Sequence, residues 1–142
     1  MKVYDSLEEI KRLMEGFENG SWPAVEWTHQ AHLTMGLWYL SKHDLPEATK
    51  LIRDGIKNYN VASGGQNTDT SGYHETITLF YIWYIKKYLT KADSEHSLVE
   101  LTNHFLEFHG DKNLPFEFYS KDLLMSVTAR RDWVKPDLKS LS

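Results

Sequence analysis

The chain has no cysteine. Disulfides, thiolate zinc sites and cysteine nucleophiles are excluded, so any metal would be held by His, Asp, Glu or water. Positive charge is in deficit: 16 Lys and Arg face 20 Asp and Glu, for a net charge of −4. General nucleic-acid binding needs a basic face to neutralise phosphates, and this composition argues against it while leaving room for a local basic pocket. No long apolar run occurs. The longest, Leu79 to Ile85, is far too short to cross a bilayer. The opening MKVYDSLEEI has no apolar core of the signal-peptide kind. A soluble, cytoplasmic protein with no membrane and no nucleic-acid partner is the expectation. Internal repeats, low-complexity segments, interdomain linkers and strand-like alternation are also missing. So are a phosphate-cradling Gly loop, a nucleophile elbow and a dinucleotide fingerprint.

What is present is a chain of 142 residues, 41% apolar and 25% charged. That fits a single domain, residues 1–142, with a real core. DSLEEIKRLMEGFENG reads as a first helix, with Ser6 and Glu9 as a capping box and Gly20 at its end. THQAHLTMGLWYLSKH reads as a second, capped by Thr28, with Gly36 marking a close backbone approach. Asp44 and Glu47 form a capping box for a third, with Pro46 in its first turn. A fourth runs from about Tyr73 to Lys91. Because ITLFYIWYI is apolar almost all round, this helix is expected at the centre. A fifth follows, with Ser94 as cap and Leu98, Leu101, Phe105 and Phe108 facing inward. Ser120 and Ser126 sit where caps of short C-terminal helices belong. The predicted fold class is all-α, a bundle of about five main helices plus one or two short C-terminal helices. Between the third and fourth helices, GGQNTDTSG has no apolar anchor. It is expected to be a mobile loop able to cover a site.

Chemistry-bearing residues gather at two helix starts. His29 and His32 are three apart and share a helix face. The positive end of the helix dipole disfavours imidazolium there, and neutral imidazole is the form that binds metal or acts as a base. The competing reading of this pair is capping and core hydrogen bonding. His74 and Glu75 open the fourth helix; His74, Thr78 and Tyr81 fall on one face, with Glu75 about 100° away. If the two helix starts meet, His29, His32, His74 and Glu75 form a cluster suited to a divalent metal such as zinc, iron or manganese. The same set suits metal-free acid–base catalysis by Glu75 and His74, or a purely structural role. Glu26 and His29 have the spacing of half a di-iron motif, but no second copy accompanies them. Arg130 could clamp a carboxylate or phosphate, or pair with Glu75 or Asp137. Tyr73, Thr78 and Tyr119 join Arg130 as candidate substrate-binding residues. His43, His96, His104 and His109 read as surface or helix-end histidines.

The three polar segments resemble a family of small bacterial proteins of unassigned function. Its members carry Thr-His-x-x-His-Leu, then Tyr-His-Glu-Thr-x-Thr, then Tyr-Ser-x-x-x-Leu-x-Ser-x-x-Ala-Arg ahead of Pro-Asp. Here those motifs are Thr28 to Leu33, Tyr73 to Thr78, and Tyr119 to Arg130 with Pro136 and Asp137. The resemblance spans residues 22 to 138 or so and brings no reaction with it. It implies that the three segments belong to one site. Two functional expectations follow. One is a small-molecule-binding protein with a His/Glu site, acting as a metal-dependent enzyme of unknown reaction. The other is a non-catalytic binding or interaction domain in which the cluster is structural.

Overall fold

The computed structural model describes residues 2–142, and all regular elements among the described residues are helical. Five longer helices come first: α1 (Leu7–Asn19), α2 (His29–Lys42), α3 (Leu45–Ala62), α4 (Glu75–Lys91) and α5 (Leu98–His109). Two short ones, α6 (Lys121–Leu124) and α7 (Val127–Arg131), close the order. Single 3-10 turns lie at Ala24–Glu26 and Leu114–Glu117. The all-α expectation is thus met. None of the helices is long and apolar enough to cross a membrane, among the described residues.

The centre of the bundle is α2, not α4 as the sequence suggested. α2 packs on α1, α3, α4 and α5, and eight of its residues, from Ala31 to Leu40, are buried. Gly36 allows that approach: a Cβ there would stand 2.9 Å from Ile85 Cδ1 of α4. The all-round apolarity of α4 has a different cause. One face, with Ile82 and Ile85, joins the main core of α1, α2, α3 and α5. The other, through Phe80, joins a second cluster with Phe118, Tyr119 and Leu124 from the C-terminal segment. The helix is a wall between two cores, and both faces had to be apolar for that.

Caps explain where several helices begin. Thr28 accepts from the Ala31 N–H, Ser120 from Leu123 and Ser126 from Ala129, as expected. Asp44 accepts from the Glu47 N–H at 3.0 Å. Gly20 closes α1 in the left-handed conformation. Three expectations need correction. Ser6 makes no side-chain cap; Glu9 reaches past it to the Asp5 N–H at 2.8 Å. Ser97, not Ser94, caps α5, in a reciprocal box with Glu100. Phe108 is 64% exposed rather than inward, because the inward stripe of α5 runs through Thr102, Phe105 and Leu106. One anchor carries no sequence signal. Asn103 accepts from the Val3 and Tyr4 N–H groups and donates to the Tyr4 carbonyl, tying the N-terminal strap to α5.

Candidate functional site

The start of α4 is where the polar residues of YHETIT are placed, and each goes to a different partner. His74 is the N-cap of α4 rather than part of its first turn. Its Nδ1 accepts from the Ile77 N–H at 3.1 Å, and its Nε2 lies 2.7 Å from the Leu124 carbonyl, to which it donates. Those partners fix the Nε2–H neutral tautomer. Burial, together with the nearby Arg130 charge, pushes the imidazole below its ordinary pKa. Thr76 is fully buried. Its hydroxyl donates to the Asp132 carbonyl and accepts from the Val134 N–H. Thr78 donates back to the His74 carbonyl at 2.7 Å. The bonds of His74 and Thr76 to Leu124, Asp132 and Val134 dock the C-terminal segment onto α4.

Glu75 faces the other way, toward α3. Arg53 holds it with both arms of a fork, Nε to Oε1 at 3.0 Å and Nη2 to Oε2 at 2.9 Å. The Tyr73 hydroxyl also donates to Oε1. Burial pushes the Glu75 carboxyl up, but the hydrogen bonds from Arg53 and Tyr73 and the Arg53 charge outweigh it. The group therefore titrates below the ordinary carboxylate range. Tyr73 moves the opposite way: burial and the adjacent carboxylate hold its phenol protonated. The expected Arg130–Glu75 and Arg130–Asp137 pairs do not form. Arg130 Nη1 instead donates to the Gly72 carbonyl at 2.8 Å and more weakly to that of Tyr73. Asp137 accepts from the Ser120 N–H.

The loop before α4 is anchored, contrary to its sequence. Asn67 Oδ1 accepts from the Asn60 side chain and the Tyr73 N–H, while its Nδ2 donates to the Lys57 carbonyl. Gly72 has a φ of 81°, and a Cβ on it would sit 2.2 Å from the Gln66 carbonyl oxygen. Only glycine fits that turn.

These pieces enclose a cleft of about 390 Å³ between α3, the loop and α7. Arg53, Lys57, Arg130 and Arg131 line it, against the two carboxylates Asp69 and Glu75. The Lys57 ammonium lies over the Tyr73 ring, 4.9 Å from its centre. Arg131 pairs with Asp69 at 3.6 Å across the mouth. Of the expected site residues, Tyr73, Glu75 and Arg130 meet here. The second and third motif segments therefore do come together.

The first segment does not join them in this cleft. His32 Nδ1 bonds the Thr28 carbonyl at 2.8 Å, and its ring lies 4.2 Å from Trp27. His29 faces Tyr81 edge-on at 5.6 Å. Its Nε2 and the Tyr81 hydroxyl are both buried without a hydrogen-bond partner among the described residues. Burial lowers the pKa of both histidines. Tyr119 is in the second core and donates to the Val134 carbonyl; burial and Asp137 push it up to about 12. Among the described residues, no three His, Asp or Glu side chains gather in a way that could hold a metal ion. The expected four-residue metal cluster is corrected accordingly: His74 spends both nitrogens on backbone groups, and Glu75 is turned toward Arg53.

Sequence reasoning missed Arg53 and Lys57. Their signal was their spacing: four apart on α3, flanking the buried stripe of Ile52, Ile56 and Tyr59. Comparison with protein-family models, curated proteins and solved structures finds no match.

Proposed function

We propose that the protein binds a small anionic molecule, a carboxylate or phosphate compound, in the cleft between α3 and α7. The observation that carries this reading is the concentration of four cations against two carboxylates in a chain whose net charge is −4. A local excess of positive charge that opposes the bulk composition, inside a concave site, attracts and orients anions. Arg130 is held by Gly72 through Nη1 alone, which leaves its Nη2 edge for a ligand oxygen. The Arg53–Glu75–Tyr73 network fixes the inner wall, so Arg53 is pre-positioned rather than ordered on binding.

Ligand binding is favoured over acid–base chemistry through His74 and Glu75. A base that is pinned by an arginine fork and titrates low is weak, and a histidine with both nitrogens bonded to backbone has no free lone pair to offer. Isothermal titration with inorganic phosphate, pyrophosphate and succinate at low ionic strength tests the proposal. At least one should bind saturably with a Kd of about 1 mM or tighter, weakening as salt rises. Absence of saturable heat with all three would refute it.

A further inference from the structure

A second cavity, of about 770 Å³, lies at the opposite end of α4 from the start described above. It is walled by the C-terminal half of α4, by α5, by the Leu114–Glu117 turn and by residues 139–142. Its size suits a drug-sized organic molecule. None of the candidate residues considered so far as a site lines it.

Its inner surface is aromatic and rigid. Trp83, Tyr84, Tyr88 and Phe118 line it. Tyr84 meets Phe105 and His109 edge-to-face at 6.1 and 5.5 Å, and Tyr88 meets Phe105 in the same way at 5.0 Å. The two tyrosine hydroxyls bond imidazoles, Tyr84 to His109 Nδ1 and Tyr88 to His104 Nδ1, each at 2.8 Å. Four rings are thereby locked, which lowers the entropy lost when a flat ligand stacks on them.

Charge is distributed unevenly along this wall. At the α4–α5 junction the acidic groups are already engaged. Asp93 accepts from the Glu95 N–H, and Glu100 accepts from the Ser97 N–H and lies 3.7 Å from His96. At the other end the ammonium groups stand over ring faces. Lys87 is 5.1 Å from the centre of Trp83, and Lys139 is 5.1 Å from that of Phe118. The Trp83 and Phe118 rings are themselves 6.1 Å apart. Lys87 also donates to the Ser142 oxygen, a bond that a ligand carboxylate at this end would replace. Glu117 is the remaining carboxylate, exposed on the rim.

We propose that this cavity binds a flat aromatic acid, its ring against Tyr84 and Tyr88 and its carboxylate at the Lys87–Lys139 end. The aromatic wall selects a planar body. The two lysines select the charge, since their ammonium groups over Trp83 and Phe118 attract a ligand carboxylate and repel a cationic ligand. This site is independent of the α3–α7 cleft, and its ligand is larger and more apolar.

The test is isothermal titration of the full chain with 2-naphthoate, 2-naphthamide and cyclohexanecarboxylate. 2-Naphthoate should bind saturably. The neutral amide and the non-planar acid should each bind about tenfold more weakly or worse. Lys87→Gln and Lys139→Gln, changes at lysines that are not in the core, should each weaken 2-naphthoate about fivefold with unchanged melting temperature. Arg130→Gln should leave it unaffected. Three outcomes would overturn the proposal: no saturable binding of 2-naphthoate, equal affinity for the amide, or loss in Arg130→Gln with retention in both lysine variants.

Discussion

Glu75 shows how one side chain is committed by its neighbours. Arg53 forks onto it and Tyr73 donates to it, so its folded pKa lies below the ordinary value of 4.5. A depressed carboxylate contributes stability above its unfolded pKa and loses it as pH falls through the folded one. Glu75→Gln should therefore cost about 1–2 kcal/mol at neutral pH. That gap should close as the pH is taken below 4.5, which urea unfolding of both proteins at several pH values will reveal. A gap independent of pH would mean that shape rather than charge holds the site. His74 teaches the complementary lesson. Its type and place in YHET read as a ligand or base, yet its Nδ1 serves as a helix cap, the task Ser, Thr, Asp and Asn usually perform. Histidine can do it because neutral imidazole carries one acceptor, and only the position of Leu124, fifty residues on, decides which nitrogen that is.

Among the elements, α4 repays attention because its two faces serve two cores. Its bounds were legible within two residues, since the nine residues of ITLFYIWYI have one polar interruption, Thr78, and show no strand-like alternation. Its role was not legible. An all-round apolar helix can be the centre of one core or the wall between two, and sequence does not distinguish them. The cap of α5 was misplaced for a related reason: Ser94 and Ser97 both precede the apolar stripe, and only Ser97 has Glu100 three residues on to complete the box. The attachment of the C-terminal segment to α4 makes a specific prediction. Thr76→Val keeps the shape of the side chain but strips the Asp132 carbonyl and the Val134 N–H of their shared partner. It should destabilise the protein by about 1–3 kcal/mol. Amide exchange should rise at Val134 before it rises in α1 or α3.

Across the whole molecule, burial lowers the pKa of four histidines, His29, His32, His74 and His109. Each binds a proton more readily unfolded than folded. Stability must therefore fall as pH drops below the ordinary histidine value of 6.5, the slope following the protons taken up on unfolding. Unfolding in urea at pH 7.5 and again a pH unit or so below 6.5 should show the lower pH less stable; equal stability would contradict the neutral burial of these rings. The all-helical fold was readable because it rests on local spacing. The cleft was readable only in part. Tyr73, Glu75 and Arg130 were recognised from motif segments, whereas Arg53 and Lys57 sit in an ordinary amphipathic helix, where charged residues on the outer face are expected on any protein. Charge placement in three dimensions, rather than composition, is the basis of the proposed function. Its most direct test reverses one exposed charge: Lys57→Glu, with the exposed Lys11→Glu on α1 as a distant control, titrated with pyrophosphate. The account predicts at least a roughly tenfold loss of affinity in Lys57→Glu and none in the control. Unchanged binding in Lys57→Glu would contradict it.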